Sequence, residues 1–244
     1  MENIAVEFYS ETASFRDPNF QNFQKSLNLP SPSNIIGMIG AALGISAKLA
    51  QAEVMEHELQ FGVYGKHQGR MKDLWKYAKV KKDFHKYKPK DGSVLTREHL
   101  VQNSFYMVFF CKEEAFINRL YEAFENPFFC LTMGNSDALA KIKKIHINCP
   151  AAKCREFENC ILEGDILQNV VENLNASAEF SLYEAETPIA NILPVFFDYK
   201  SHYGKRTVKS TKTFSFITNK VKLNYDVTSL KVDSTLIPLN SFLE

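Results

Sequence analysis

The feature that most constrains this chain is a basic arm lodged between two β-prone stretches. HELQFGVYG (residues 57–65) and HLVQNSFYMVFFC (residues 99–111) are rich in aromatic and β-branched residues and read as strands. Between them Gly65–His99, GKHQGRMKDLWKYAKVKKDFHKYKPKDGSVLTREH, holds eleven Lys or Arg residues against four acids. The arm nets +7 where the whole chain nets +1, so the remaining residues sum to −6. Its Pro89-Lys90-Asp91-Gly92 turn signal predicts that it doubles back as a long hairpin. Mixed surface charge would serve solubility, so this segregation asks for another cause. Trp75, Tyr77, Phe84 and Tyr87 sit among the lysines, which suits a polyanion whose bases stack on rings. A solvated charged loop is the competing reading.

At 244 residues the chain is long enough for one large domain or two small ones. Hydrophobic content of 45% and charged content of 23% are ordinary for a folded protein, and 20 Phe with 10 Tyr favour sheet. No apolar run reaches the roughly 20 residues of a membrane-spanning helix. The opening MENIAVEFYS lacks the basic and apolar regions of a signal peptide, so the expected location is the cytoplasm, with no membrane partner. Of five cysteines, Cys149, Cys154 and Cys160 cluster in sequence, but they lack paired zinc-ligand spacing. Free thiols are expected, with no metal and no cofactor.

NIAVEFYS, residues 3–10, predicts a first strand, followed by a loop. Ser31-Pro32-Ser33 opens a helix whose body, SNIIGMIGAALGISAKLA, runs over residues 33–50 with Gly37, Gly40 and Gly44 inside it. Each interior glycine costs roughly 0.5–1 kcal/mol, which predicts a flat face laid close to a sheet or a partner's backbone. Gly37 and Gly40 sit inside the helix and no Gly-Lys-Ser/Thr follows, which argues against a phosphate loop. KEEAFINRLYEAF (residues 112–124) predicts an amphipathic helix, FFCLTMGNSDALAKI a loop and KIKKIHINC (residues 141–149) a strand. The order strand, helix, strand, insertion, strand, helix, strand gives an α+β, ferredoxin-like βαββαβ domain over residues 1–150. Residues 151–244 predict a smaller antiparallel β-region built from ENCILEG, AEFSLYEA, ILPVFFDY, TKTFSFIT, VKLNY and DSTLIPL.

Four landmarks carry a family resemblance. They are Ala13-Ser14-Phe15-Arg16, the helix Pro32–Gly44, Arg97-Glu98-His99-Leu100-Val101, and the glycine loop Leu131-Thr132-Met133-Gly134-Asn135-Ser136-Asp137. In order and spacing they resemble the RAMP superfamily, and within it the fifth CRISPR-associated (Cas-five) family of type I Cascade complexes. The resemblance spans roughly residues 1–150. It implies a subunit that grips the 5′ handle of a CRISPR RNA at the foot of Cascade. Its implied partners are the repeated backbone subunit and the large subunit, with target DNA met indirectly. The arm then corresponds to a thumb over the guide RNA. The glycine loop departs from the family pattern, in which a basic residue follows the glycine; here Asn135 follows Gly134.

The candidate RNA contacts follow from charge, aromaticity and these landmarks. In the arm they are Lys66, His67, Arg70, Lys72, Trp75, Lys76, Lys79, Lys81, Lys82 and Arg97. Arg16 is the first choice outside it, a structural ion pair being the alternative. Ser33 and Asn34 sit where helix N–H groups can meet a phosphate, or where they simply cap. Gly134, Asn135 and Ser136 offer loop amides, and Lys205 and Arg206 belong to a second basic stretch from Tyr199 to Lys212. No catalytic residue is assigned. The alternative function is a metal-independent ribonuclease, for which Tyr64, Lys66-His67, His85-Lys86, His99 and His202 are the available groups.

Overall fold

The computed structural model describes residues 1–21, 23–79, 90–167, 188–202 and 205–243. The alternating NIAVEFYSETA forms β1 (Asn3–Ala13), with Ile4, Val6 and Phe8 fully buried. Three short strands follow, β2 (Phe15–Arg16), β3 (Phe23–Gln24) and β4 (Ser26–Leu27). Then come α1 (Pro32–Leu43), α2 (Ala47–Glu56), β5 (Gln60–Lys79), β6 (Lys90–Phe110), α3 (Glu114–Glu125) and β7 (Lys141–Ile147). β6 lies between β1 and β5, and β7 flanks the other side of β1, with every neighbouring pair antiparallel. Each helical connection therefore joins strands separated by one neighbour.

The later residues add β8 (Ala151–Phe157), β9 (Cys160–Glu163), β10 (Ile189–Tyr199), β11 (Arg206–Ile217), β12 (Val221–Val232), β13 (Thr235–Pro238) and β14 (Asn240–Ser241). The main sheet runs β10-β11-β9-β5-β6-β1-β7, and β13-β12-β8 form a second sheet. The predicted stretch AEFSLYEA lies outside the described residues. The fold is mixed α/β, mostly sheet, with three helices among the described residues.

Helices cover one face of the main sheet. Ile35, Ile39, Phe116 and Leu120 share a core with Phe8, Phe61, Phe105 and Phe109, and Phe214 and Phe242 from the later strands join it. Burying a side chain of that size contributes about 1.5–3 kcal/mol. Ala5 and Val108, on the opposite face, pack against Leu230, Val232 and Ile237 of the second sheet.

Strict alternation does not run the length of the central strands. On β1, even-numbered Ile4, Val6 and Phe8 share the helix-side core with odd-numbered Ala13. On β6, odd-numbered Phe105, Met107 and Phe109 share it with even-numbered Leu100. A regular strand cannot do this, because successive side chains point to opposite faces. The change falls at Gln102, whose φ is +50° and which pairs with neither β1 nor β5. Beyond it, the faces of the β5–β6 hairpin are exchanged.

One expectation is corrected. The single helix expected over residues 33–50 is two helices, bent by 104°. Gly44 ends α1 in the left-handed region at φ +70°, and Ser46 caps α2 by accepting from the Leu49 N–H at 3.4 Å. There is no common flat glycine face. A Cβ on Gly40 would come within 3.1 Å of the Ala50 Cβ, so it lets the two helices close at the bend, whereas Gly37 faces open space.

Gly37→Ala should therefore stabilise the protein by roughly 0.5–1 kcal/mol, through helix propensity alone. Gly44→Ala should destabilise it by at least about 1–2 kcal/mol, since it combines a left-handed backbone with a Cβ 2.5 Å from the Phe128 Cγ. Urea unfolding of the two variants checks the opposite signs.

Candidate nucleic-acid interface

The arm is a continuous extension of two central strands. β5 and β6 pair from Gln60↔Phe110 out to Lys79↔Lys90. Residues directly opposite in an antiparallel pair share a face. One face thus carries Met71, Asp73, Trp75 and Tyr77 opposite His99, Arg97, Leu95 and Ser93. The other carries Arg70, Lys72, Leu74 and Lys76 opposite Leu100, Glu98, Thr96 and Val94.

On the first face the Arg97 guanidinium lies 4.3 Å from the centroid of the Trp75 ring, and Trp75 and Tyr77 are 5.4 Å apart. Trp75 remains 41% exposed, so ring surface is available to a base. On the second face Lys72 and Lys76 are exposed, and the Lys72 ammonium sits 5.6 Å from the Phe23 ring centroid. Leu74 and Val94 are exposed between them.

The root of the hairpin is polar and buried. The Glu98 carboxylate accepts from Arg70 Nη1 at 2.8 Å and from the Ser26 N–H at 3.0 Å. The Ser14 hydroxyl donates to the Glu98 carbonyl at 2.8 Å, and the Phe15 N–H donates to Ser26 Oγ at 3.0 Å. Arg70 also donates to Asn28 Oδ1. Through its carboxylate and its backbone carbonyl together, Glu98 thus ties the exit of β1, strand β4 and both arms of the hairpin.

The glycine loop closes against the same place. The Ser14 N–H donates to the Met133 carbonyl at 3.0 Å. Gly134 has φ +95°, and a Cβ there would lie 2.0 Å from the Ser14 carbonyl oxygen, so no other residue fits. Asp137, at the end of the loop, accepts from Arg97 Nη1 at 3.3 Å. Arg97 Nε, His99 Nδ1 and Asn135 Nδ2 are buried without a hydrogen-bond partner among the described residues. Buried polar atoms are nearly always paired, so two unpaired donors and a ring nitrogen around one loop single it out as a candidate binding region.

The structure brings Trp75, Arg97, Gly134, Asn135 and Ser136 into this region, with Arg16 two residues from the Ser14 contact. Arg16 is exposed, and among the described residues no carboxylate lies within 4 Å of its guanidinium. Arg70 points instead into the root, held by Glu98. Lys66 pairs with Glu158 at 3.6 Å and lies 5.9 Å from the Tyr64 ring centroid. Lys66 and His67 line a cavity of about 190 Å³ with Asn28 and Asn159. Ser33 and Asn34 are engaged in the α1 cap: Asn34 Oδ1 accepts from the Ser31 N–H at 3.2 Å and its hydroxyl at 2.6 Å, and Ser33 Oγ lies 3.1 Å from Ser31 Oγ. Lys205 and Arg206 stand apart at the start of β11, two strands from β5, with Arg206 4.2 Å from the Phe197 ring centroid. Lys81, Lys82, His85, Lys86 and the Lys79 side chain lie outside the described residues.

Sequence reasoning missed Glu98, Ser26, Asn28 and Asp137 as builders of the root. Their partners lie 11 to 84 residues away, and no periodicity or spacing signals such contacts. Among the described residues no three His, Cys, Asp or Glu side chains are grouped to hold a metal ion. Burial raises the pKa of Cys149 and of Cys160, which keeps both as thiols.

Burial, and then the neighbouring Arg97 cation, lower the pKa of His99 below its ordinary 6.5. The unfolded chain takes up a proton near pH 6.5 while the folded one resists it, so the folded state binds fewer protons in that window. Stability from this group is full above pH 6.5 and is lost as pH falls below it. Urea midpoints measured from pH ~7.5 down to ~5.5 should fall less steeply for His99→Gln than for the native chain.

A family profile described as CRISPR-associated protein (Cas_Cas5) matches residues 3–209. No curated protein matches the chain. Among solved structures, the chain is similar to one in a CRISPR RNA-guided surveillance complex, at TM-score 0.55 and 16% identity over 90% of this chain and 91% of that one. It is similar to a CRISPR protein from Archaeoglobus fulgidus, at TM-score 0.50 and 10% identity over 99% and 100% of the two chains. A chain of the Type III-B Cmr-beta complex bound to cognate target RNA and AMPPnP matches at TM-score 0.50 and 12% identity, over 90% and 86%. At these identities the structural likeness speaks to the fold, while the profile spans the sheet from β1 into β11. The chain belongs to the CRISPR-associated Cas5 family.

Proposed function

We propose that this chain is a non-catalytic structural subunit of a type I CRISPR Cascade complex that binds the 5′ handle of the CRISPR RNA. In that role it caps the filament of the repeated backbone subunit, beside the large subunit that reads target DNA. The observation that carries the reading is the root of the hairpin: three separate sequence landmarks converge there around open donors, beneath a basic and aromatic arm. Lys72, Lys76 and Arg16 are suited to phosphates, and the exposed ring of Trp75 to a stacked base. The order β5-β6-β1-β7, with each helical connection skipping one strand, supports reading residues 1–150 as a ferredoxin-like domain with a thumb inserted at 65–99. Residues 151–244 then form its β-rich extension.

A ribonuclease reading has one observation in its favour, the neighbouring Tyr64, Lys66 and His67. The Tyr64 hydroxyl, and secondarily Glu158, raise the Lys66 pKa, which holds that lysine as a cation and makes it a poor base. The binding role is preferred because the arm carries exposed Lys72 and Lys76 and the open ring of Trp75.

Fluorescence anisotropy with handle-bearing RNA tests the proposal. Trp75→Ala should weaken binding by about 1–3 kcal/mol, the worth of one stacked base. Lys72→Ala with Lys76→Ala should reduce the salt slope by about 0.7 for each phosphate that is no longer neutralised. RNA incubated with the protein in EDTA should stay intact; cleavage that His67→Ala abolishes would establish the ribonuclease instead. Affinity independent of salt would sink the RNA-binding reading altogether.

A further inference from the structure

The β10–β11 hairpin points away from the β5–β6 hairpin. Ile217 of β11 pairs with Cys160 of β9, and Cys160 pairs with Tyr64 of β5. Both pairings are antiparallel, so β11 and β5 run in the same direction. From that row Arg206 lies eleven residues back along β11 and Trp75 eleven residues forward along β5. At about 3.3 Å per residue, each stands on the order of 35 Å from the row, on opposite sides of it. The two hairpins are separate places.

They nevertheless share one construction, an arginine laid across a pair of aromatic rings. In the first, Arg97 sits opposite Asp73 and lies over Trp75, two positions along, with Tyr77 beyond it. In the second, Arg206 sits opposite Tyr199 and lies over Phe197, two positions along, 4.2 Å from the ring centroid. Phe197 and Tyr199 are 6.3 Å apart. The second arginine is the more open one. Arg97 is buried and donates to Asp137, whereas Arg206 is exposed and, among the described residues, has no carboxylate within 4 Å. With Phe197 on one side, the guanidinium offers a flat cationic surface on the other.

The surroundings add charge. Tyr199–Lys212 holds five cations and no acid. Lys212 is spent inside, on Glu163 at 2.8 Å and on the Ser241 and Leu243 carbonyls. Lys200, Lys205 and Lys209 are exposed, and among the described residues no carboxylate lies within 4 Å of their ammonium groups. Asp198 pairs with Thr207, which puts it on the face opposite to Tyr199 and Arg206. The strip is also held in place. Gln51 of α2 donates from Nε2 to the Phe197 carbonyl at 3.0 Å, and its Oε1 accepts from the Phe197 N–H at 2.8 Å. Little ordering cost therefore remains for a ligand to meet. Those two bonds also occupy the backbone groups that an added strand would need at Phe197, which disfavours strand addition there.

We propose that the β10–β11 hairpin is a second, independent contact for single-stranded nucleic acid, with a base on the outer plane of Arg206 and phosphates on Lys200, Lys205 and Lys209. This goes beyond handle binding by the β5–β6 hairpin and does not rest on it. Rings and phosphates are common to RNA and DNA, and the test separates the two. It uses the full chain carrying Lys72→Ala, Trp75→Ala and Lys76→Ala, which disables the β5–β6 hairpin, with short fluorescein-labelled oligouridylate and oligothymidylate. Salt-dependent binding of at least one of them should persist in that background. Adding Arg206→Ala should weaken it by about tenfold, within the range of one stacked base. Adding instead Lys205→Ala with Lys209→Ala, both fully in solvent, should reduce the salt slope by about 0.7 for each phosphate no longer neutralised. In the otherwise native chain the effect of Arg206→Ala on handle RNA should simply add to that of Trp75→Ala, as for sites that do not touch. Binding of neither oligonucleotide in the disabled background, equal affinity for a duplex, displacement by polyglutamate as effective as by oligonucleotide, or an affinity unmoved by Arg206→Ala would each overturn the proposal. Handle binding fails on Trp75→Ala and this inference on Arg206→Ala, so the two failures are distinct.

Discussion

The hairpin depends on the buried carboxylate of Glu98. A long two-stranded ribbon in water is marginally stable by itself, so an arm of this length needs a stiff root. Glu98 supplies it by holding Arg70 from the opposite strand and the Ser26 amide from β4. The Arg70 side chain is 35% exposed, so solvent screens the pair and breaking it costs less than the about 3–5 kcal/mol of a fully buried one. The desolvation that makes the pair costly to break is also what fixes its geometry. The arm is therefore aimed by its base.

The base is assembled on the correct face only because the alternation turns over at Gln102. Without that residue in the left-handed region, Glu98 and Leu100 would point to the side that Arg97 and His99 occupy. The exchange sends Glu98 and Arg70 inward toward the helix-side core. It leaves Arg97, Trp75 and Tyr77 together on the opposite face, where the guanidinium stacks on the indole. A guanidinium on an aromatic face is attracted by the ring quadrupole at about 0.5–2 kcal/mol, enough to order the indole over the buried Arg97 while its outer surface stays accessible. Strand alternation separates the arm into an aromatic face and a lysine face, and the turnover at Gln102 decides which side of the sheet each one takes.

Much of this was legible residue by residue. The alternation of NIAVEFYS and the amphipathic run of α3 are short-range patterns, and they predicted a strand and a helix; of the expected turn, Lys90–Gly92 lie instead within β6, paired to β5, and Pro89 lies outside the described residues. The helix break at Gly44 was also written locally, in a glycine followed by a capping serine, but the apolar run on either side of it read as one element. The candidate site divides in the same way. Trp75 and the exposed lysines could be named from composition, whereas Arg70 looked like any other cation of the arm until its partner Glu98 was located.

The sequence by itself determined that two strands carry a basic, aromatic insertion, because charge segregation and β-propensity are properties of neighbouring residues. It also held the landmarks by which the family is recognised. Only the tertiary structure decided that Ser14, Glu98, Arg97 and Gly134 meet at one place. The hydrogen bonds that gather them span 40 to 119 residues of chain and leave no periodic trace. Which lysines face solvent, and which arginine is spent inside, is set by strand register and by one residue of positive φ. No count of charges can contain that information.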